Sequence, residues 1–260
     1  MKVTEIIRLA FESVRYNLLR SVLTLLIIAL GITALVGILT SIDGIIYSMS
    51  SNFNSLGANS FSIDRKSENF RRHDRGKRTK QSPSVSYQQA QEFKERFGNK
   101  AIVSISYGAV GNGIIKYQNK KTNPTVRIRG IDENFFKVMG YEIEYGRSFS
   151  THELEYGISK AIVGKDIIKT LFDDNAEKAL MQTITVNDQK YQIIGVLKSK
   201  GSSMNEGADR RVLIPLNKSK IEYATLDSDF DLNVSVPIAQ QLDDLISQAI
   251  GEMRIVRGLK

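Results

Sequence analysis

The stretch SVLTLLIIALGITALVGILTSIDGII (residues 21–46) decides the architecture. Nothing else in the 260 residues is comparably apolar. From Ser21 to Ile42 there are 22 residues without a charge. At about 1.5 Å per residue that is roughly 33 Å of helix, close to the ~30 Å hydrocarbon core of a bilayer. A core helix of this length would carry a polar stripe, whereas here Thr24, Thr33, Thr40 and Ser41 are scattered. A cleaved signal has an apolar run of about 7–15 residues followed closely by a small-residue cleavage site. This run is longer and starts too far from Met1. The reading is one retained N-terminal transmembrane helix.

The flanks orient it. Residues 1–20 carry Lys2, Arg8, Arg15 and Arg20 against Glu5 and Glu12, while residues 47–64 carry no Lys or Arg. The positive-inside rule puts the N-terminus in the cytoplasm and everything after Tyr47 outside. Within residues 2–19, Ile6, Ile7, Leu9, Ala10, Val14 and Leu18 recur with helical periodicity. Residues 1–20 are therefore expected to form an amphipathic helix along the cytoplasmic membrane surface. Residues 21–56 form the span and a stalk, since Ser48–Leu56 is polar yet helix-compatible, and Gly57 ends it. Residues 57–260 form the outer domain.

Residues 65–82, RKSENFRRHDRGKRTKQS, hold eight Lys/Arg and two acids, or +6 of the net +8. With few apolar anchors this segment reads as a flexible, solvated loop. Outside the cytoplasm nucleic acid is not an expected partner. Acidic headgroups of membrane lipid or an acidic protein are the partners its charge would favour.

Beyond Pro83 the pattern becomes globular. Ser84–Ser86 is positioned to cap a helix through Phe97 with Ala90, Phe93 and Phe97 on one face. Ala101–Val110, Ile114–Tyr117 and Thr125–Ile131 read as strands, with turns at Gly111–Gly113 and Asn119–Pro124. Asp132 is expected to cap a short helix, ENFFKVMG. Lys160–Val163 is a strand and Gly164–Phe172 a helix. Thr183–Val186 and Tyr191–Leu197 flank the turn Asn187–Lys190 as a hairpin. Arg211–Ile214 and Asp231–Val236 are strands, and Ala58–Asp64 is a first strand. Ile238–Val256 is an amphipathic helix. The interleaving defines an α+β or mixed α/β domain.

The chain has no cysteine, so the outer domain holds together without disulfides and has no thiolate metal site. Its two histidines, His73 and His152, have no partner at ligand spacing and read as surface residues. No serine sits in G-x-S-x-G or S-x-x-K context. The glycine-rich stretches GAVGNG (108–113) and KSKGSSMNEG (198–207) lack the P-loop pattern and read as loops. Asp173–Asp174 and Asp243–Asp244 are adjacent carboxylates without a shared face. Asp43, at the outer end of the span, is close enough to the interface to be solvated. No catalytic, cofactor-binding or metal set is expected, and the residues alone are equally compatible with a single-span sensor that binds a ligand outside.

NLLRSVLTLLIIALGITALVGILTSIDGI (17–45) and FNSLGANSFSI (53–63) resemble the opening of MacB/FtsX-like ABC transporter permeases. The similarity continues in order through SYQQAQEFKERF (86–97), VRIRGIDENFFKVMGYEIEYGRSFS (126–150) and KAIVGKDIIKTLF (160–172). It then runs through ITVNDQKYQIIGVLKSKGSS (184–203) and RRVLIPL (210–216). The blocks G-I-D-x-x-F-F…G-R-x-F and I-V-G…L-F carry it. The resemblance implies a porter-like half with a smaller inserted lobe, in the cell inner (plasma) membrane. It implies an ABC ATPase subunit as partner, which binds the ATP, together with a homodimer or paired permease and, optionally, a periplasmic adaptor protein. The stalk would transmit ATPase motion outward for efflux or for lipoprotein or peptide handling. Family members continue into three more transmembrane helices, so this chain is expected to represent part of a permease.

Overall fold

A computed structural model describes residue 5 and residues 15–55, 60–65, 83–199, 209–236 and 241–258. The chain divides into two compact units, Met1–Phe53 and Asn54–Lys260.

The first unit is dominated by helix α1 (Leu18–Ser55), 38 residues long. Its portion Leu18–Ile45 is long and apolar enough to cross a membrane, and none of it is buried within the protein. Its hydroxyls are taken up by the helix itself. Thr24 Oγ1 donates to the Arg20 carbonyl (2.8 Å), Thr40 Oγ1 to that of Val36 (2.9 Å) and Ser41 Oγ to that of Gly37 (2.7 Å). A hydroxyl that bonds back to the preceding turn does not need water, which is why these residues are tolerated in an apolar span. Most of the expected surface helix at residues 1–20 lies outside the described residues, as does the basic loop beyond Arg65.

The second unit is built on one mixed sheet. Its strands are β1 (Ser60–Ile63), β2 (Ile102–Gly113), β3 (Ile115–Tyr117), β4 (Lys120–Lys121), β5 (Val126–Ile131) and β6 (Ile143–Gly146). They continue with β7 (Lys160–Val163), β8 (Thr183–Val186), β9 (Gln189–Leu197), β10 (Arg211–Pro215) and β11 (Phe230–Ser235). The order is β1-β11-β2-β5-β10-β7-β9-β8-β3-β4, with β6 added against β9. β5–β10 and β7–β9 are parallel and the other pairs antiparallel. Among the described residues seven helices accompany the sheet: α2 (Tyr87–Phe97), α3 (Phe135–Met139), α4 (Thr151–Glu155), α5 (Lys165–Phe172), α6 (Ala176–Ala179), α7 (Leu216–Tyr223) and α8 (Leu242–Val256).

Most boundaries follow the sequence reading, and the exceptions have local causes. The turn expected at Gly111–Gly113 is instead strand. β2 continues through the glycines by two register shifts against β5, between Gly108 and Val110 and between Val110 and Gly113. Glycine permits such bulges, which bend and twist a strand without ending it. β3 resumes after Ile114 and pairs with β8, so the β2–β3 segment lies at both ends of the circuit β5–β10–β7–β9–β8. The hairpin turn is tighter than expected: Asn187 and Asp188 both take positive φ (44° and 68°), and β9 starts at Gln189. Two left-handed residues match the twist of the flanking strands.

Three apolar clusters hold the unit. Alternate residues of β2 and β11, including Val103, Ile105, Leu232 and Val234, face α2 and α8, which contribute Phe93, Phe97, Ala249 and Met253. Inside the strand circuit, Ile115, Val126, Ile128, Tyr191, Val212 and Ile214 pack with Ile167, Leu171 and Phe172 of α5. On the sheet face opposite α2, Phe135 and Tyr141 cover Ile131, Ile162 and Leu213. The Phe135 and Tyr141 rings stack at 5.7 Å and 8°.

Candidate functional site

Helix α2 starts where the sequence places its cap. Ser86 Oγ accepts from Gln89 N–H and the Gln89 side chain accepts from Ser86 N–H, a reciprocal capping box. This register buries Ala90, Phe93 and Phe97 and turns Lys94 toward the end of β5. There Lys94 Nζ reaches Asp132 Oδ2 and Glu133 Oε1, both at 2.6 Å.

Asp132 is the centre of this site. The expectation that it caps the following helix is corrected: the N-cap of α3 is Asn134, without a side-chain cap bond. Asp132 Oδ1 does accept from Asn134 N–H (3.2 Å), but the carboxylate is otherwise directed at β2. Oδ1 accepts from Ser104 Oγ (2.7 Å), and Oδ2 accepts from Ile105 N–H (2.8 Å) as well as Lys94. Asn134 Nδ2 donates to the Val103 carbonyl (2.8 Å). The pattern has a simple cause. β5 leaves β2 after Ile131, whose partner is Ser106, and would leave the next groups along that edge of β2 unpaired. Two side chains, Asp132 and Asn134, replace the missing strand and satisfy them. Asp132 is 6 % exposed, and burial lifts its pKa above the ordinary carboxylate value against the pull of Lys94 and its donors. For Lys94, burial opposes the charge, but the attraction of Asp132 and Glu133 outweighs it and raises the pKa.

The network borders a groove of about 440 Å³ whose walls include Tyr87, Lys94, Glu133, Leu154, Leu216 and Asn217. Asn217 fixes α7 to the end of α4 by donating to the Leu154 and Glu155 carbonyls (3.2 and 2.9 Å). A second groove, about 390 Å³ and more apolar, runs between β1 and α8, past Phe61, Ile63, Ile250 and Met253. Ser104, fully buried behind the first groove, is not one of its lining residues, and its hydroxyl is taken up by Asp132. Among the described residues no group of three or more His, Asp or Glu is arranged to hold a metal ion.

The motif residues turn out to hold the fold. Gly130 lies under α7, where a Cβ would stand 1.7 Å from Ser219 Oγ. Gly146 has φ +83°, and a Cβ there would meet the Ile194 carbonyl at 2.2 Å. Arg147 grips Glu153 with two bonds of 2.7 Å, and Glu153 also completes a capping box with Ser150. Those hydrogen bonds hold Glu153 at a pKa of about 2, with its burial acting in the opposite direction. Gly164 is the N-cap of α5, and Leu171 and Phe172 close its core face.

The remaining singled-out residues are dispersed. His152 lies on α4 with its ring 4.5 Å from that of Tyr156. Asp173 is the left-handed C-cap of α5 and pairs with Lys120 at 2.6 Å. Asp243 and Asp244 are exposed in the first turn of α8, and Asp43 is exposed on α1. His73 and most of residues 198–207 lie outside the described residues, though Lys198 pairs with Glu142 at 2.6 Å. Sequence reasoning missed α7 and its Lys218–Glu222 pair (2.8 Å), whose carboxylate accepts from the buried Tyr191 hydroxyl. The alternation in QKYQI marks Tyr191 as inward-facing, but its partner comes from a helix with little periodicity.

An exposed apolar helix followed in sequence by a mixed-sheet unit defines the class of membrane-tethered α+β proteins. The chain belongs to the MacB-like periplasmic core domain family, whose profile matches residues 21–250. It is 25% identical over 229 residues to the macrolide export ATP-binding/permease protein MacB of Hyphomonas neptunium, covering 83% of this chain and 32% of that one. It is 25% identical over 213 residues to the uncharacterized ABC transporter permease YvrN of Bacillus subtilis, covering 78% and 49%. The chain thus spans between a third and a half of the length of these relatives. The fold is that of the periplasmic region of MacB from Actinobacillus actinomycetemcomitans (TM-score 0.61, 16% identity, 80% of this chain and 89% of that one). It is also that of the extracellular domain of the noncanonic ABC-type transporter YknZ from Gram-positive bacteria (TM-score 0.58, 18% identity, 78% and 96%). The apolar helix and this domain together fit an inner-membrane protein.

Proposed function

We propose that this chain is the first span and the extracytoplasmic domain of an ABC transporter permease. In this reading the N-terminus is cytoplasmic, the permease is paired, and ATP is bound by a partner ATPase. The observation that carries it is the length of α1. Its 38 residues make roughly 57 Å of helix, about 25 Å more than the hydrocarbon core requires. A plain anchor needs no such excess, whereas a helix that conveys motion out of the membrane does. The ABC permease names of the full-length relatives support the same reading. It implies work done outside the bilayer, as in efflux or the handling of peptides or lipoproteins.

The absence of cysteine makes the topology directly testable. Single-cysteine variants Lys2→Cys and Tyr156→Cys would be treated with a membrane-impermeant maleimide in intact spheroplasts. Labelling at 156 without labelling at 2 is expected; the reverse pattern overturns the orientation. Copurification of the full-length protein with an ABC ATPase tests the partnership, and recovery with a kinase instead would support a sensor.

A further inference from the structure

The sheet face opposite α2 and α8 carries three arginines. Arg127 and Arg129 alternate on β5 and therefore share that face. Arg211 is the direct neighbour of Arg127 across the parallel β5–β10 ladder, about 4.8 Å away in backbone spacing. Arg129 is neutralised: its Nη1 donates to Asp231 Oδ2 (2.8 Å) and Ser106 Oγ (2.9 Å). Arg210, the residue before Arg211, is also paired, with Asp166 at 3.3 Å.

Arg127 and Arg211 differ. Among the described residues neither has a carboxylate within ion-pair distance. Arg127 is exposed. Arg211 is half-buried, with its guanidinium 5.5 Å from the centroid of the Tyr141 ring and its Nη1 donating to the Tyr141 hydroxyl. Its Nε is buried and bonds to nothing. Burying a guanidinium without an opposite charge is unfavourable. Burial lowers the Arg211 pKa, partly offset by the Tyr141 hydroxyl, and the neighbouring Arg129 and Arg127 lower it further, so the three charges sense one another.

We propose that Arg127 and Arg211, with Arg129 beside them, form a binding site for an oxyanion of the phosphate class. Tyr141 takes one edge of the Arg211 fork. Nη2, which has no hydrogen-bond partner among the described residues, is left to donate to a phosphate oxygen in a charge-assisted bond. Arg127 supplies a second fork from the solvent side. Once Asp231 is set against Arg129, two positive charges remain, matching a phosphate better than a monovalent halide. The phosphate has two sources of the same chemistry, free inorganic phosphate and the phosphodiester of a lipid headgroup.

The test uses the full chain in a neutral maltoside detergent. Thermal unfolding is followed by tyrosine signal while inorganic phosphate replaces chloride at constant ionic strength. The wild type is expected to show a saturable rise in Tm. Arg211→Gln and Arg127→Gln are each expected to weaken the apparent affinity by about tenfold or more. Where Arg211→Gln fails to fold, the exposed Arg127→Gln decides. Dihexanoyl phosphatidylglycerol binding more tightly than inorganic phosphate assigns the site to a headgroup, and the opposite order assigns it to the free ion. A Tm indifferent to phosphate, or saturation unchanged in Arg127→Gln, overturns the proposal.

Discussion

Replacing Asp132 with alanine tests whether a side chain stands in for the missing part of β5. In the protein its carboxylate accepts from Ser104 Oγ, Ile105 N–H, Lys94 Nζ and Asn134 N–H at 2.7, 2.8, 2.6 and 3.2 Å. Alanine leaves two fully enclosed donors, those of Ser104 and Ile105, without acceptors. Such orphaned groups cost about 1–3 kcal/mol each. Lys94 retains Glu133, so its loss is partial. The total is about 3–5 kcal/mol, which also matches the usual effect of removing one partner of a buried ion pair. For a domain of roughly 200 residues this corresponds to a fall in Tm of about 10 °C. The assay is thermal unfolding of the full chain in detergent. The chain has no tryptophan, and eight of its ten tyrosines follow residue 57, so the near-UV signal reports the second unit. Asp132→Asn should fall between wild type and alanine, because whichever oxygen becomes an amide nitrogen then faces a donor. Asp243→Ala, on the exposed first turn of α8, should shift stability by no more than about 0.5 kcal/mol. A fall under about 2 °C for Asp132→Ala would refute the strand-replacement argument, since two orphaned donors set a larger minimum.

Three further outcomes follow from the geometry. Gly130→Ala should destabilise by about 2–3 kcal/mol, because the new Cβ would lie 1.7 Å from Ser219 Oγ; adding Ser219→Gly should recover much of it in a double-mutant cycle of urea midpoints. Glu153, held at about 2 by Arg147, stabilises the protein above its unfolded pKa of about 4.3, and that contribution disappears as pH falls toward 2. Because Arg147 is half-exposed, the effect is about 1–2 kcal/mol after solvent screening, and urea midpoints of wild type and Glu153→Gln should converge between pH 4.5 and pH 2. Leu35→Lys places a charge near the middle of the apolar helix, which costs about 2.5–3.5 kcal/mol on insertion; alkaline extraction of membranes should release more of this variant than of the wild type.

The elements governed by local chemistry were legible in the sequence. The Ser86 cap, the apolar face Ala90–Phe93–Phe97 and the strand Lys160–Val163 all stand where periodicity and capping rules place them. Gly111–Gly113 misled because glycine serves both turns and bulges, and the choice was made by pairing with β5. The order of the sheet was not legible. Parallel pairs such as Arg211 with Arg127 join segments that share no local signal. The Asp132 site was hidden for the same reason: Lys94, Ser104 and Asp132 belong to different elements and meet through packing. Asp132 before a short helix resembles a cap, and only the departure of β5 from β2 redirects its carboxylate. The resemblance blocks were visible as motifs, but their roles in close approach, capping and core closure require the neighbouring elements to be in place.

The pairing of β1 with β11, Ser60 with Ser235, has a consequence for how the protein is made. The strand that emerges first lies beside one that emerges almost last. β2, the longest strand of the sheet, also borders β11 along Ile102–Tyr107 and is not paired on that side until then. Contacts of such long sequence separation form slowly, because loop closure precedes any gain from pairing. On this topology the β1 and β2 pairings with β11 wait for β11 itself. Vectorial delivery from the ribosome gives little help here. The apolar helix α1 is complete long before that step.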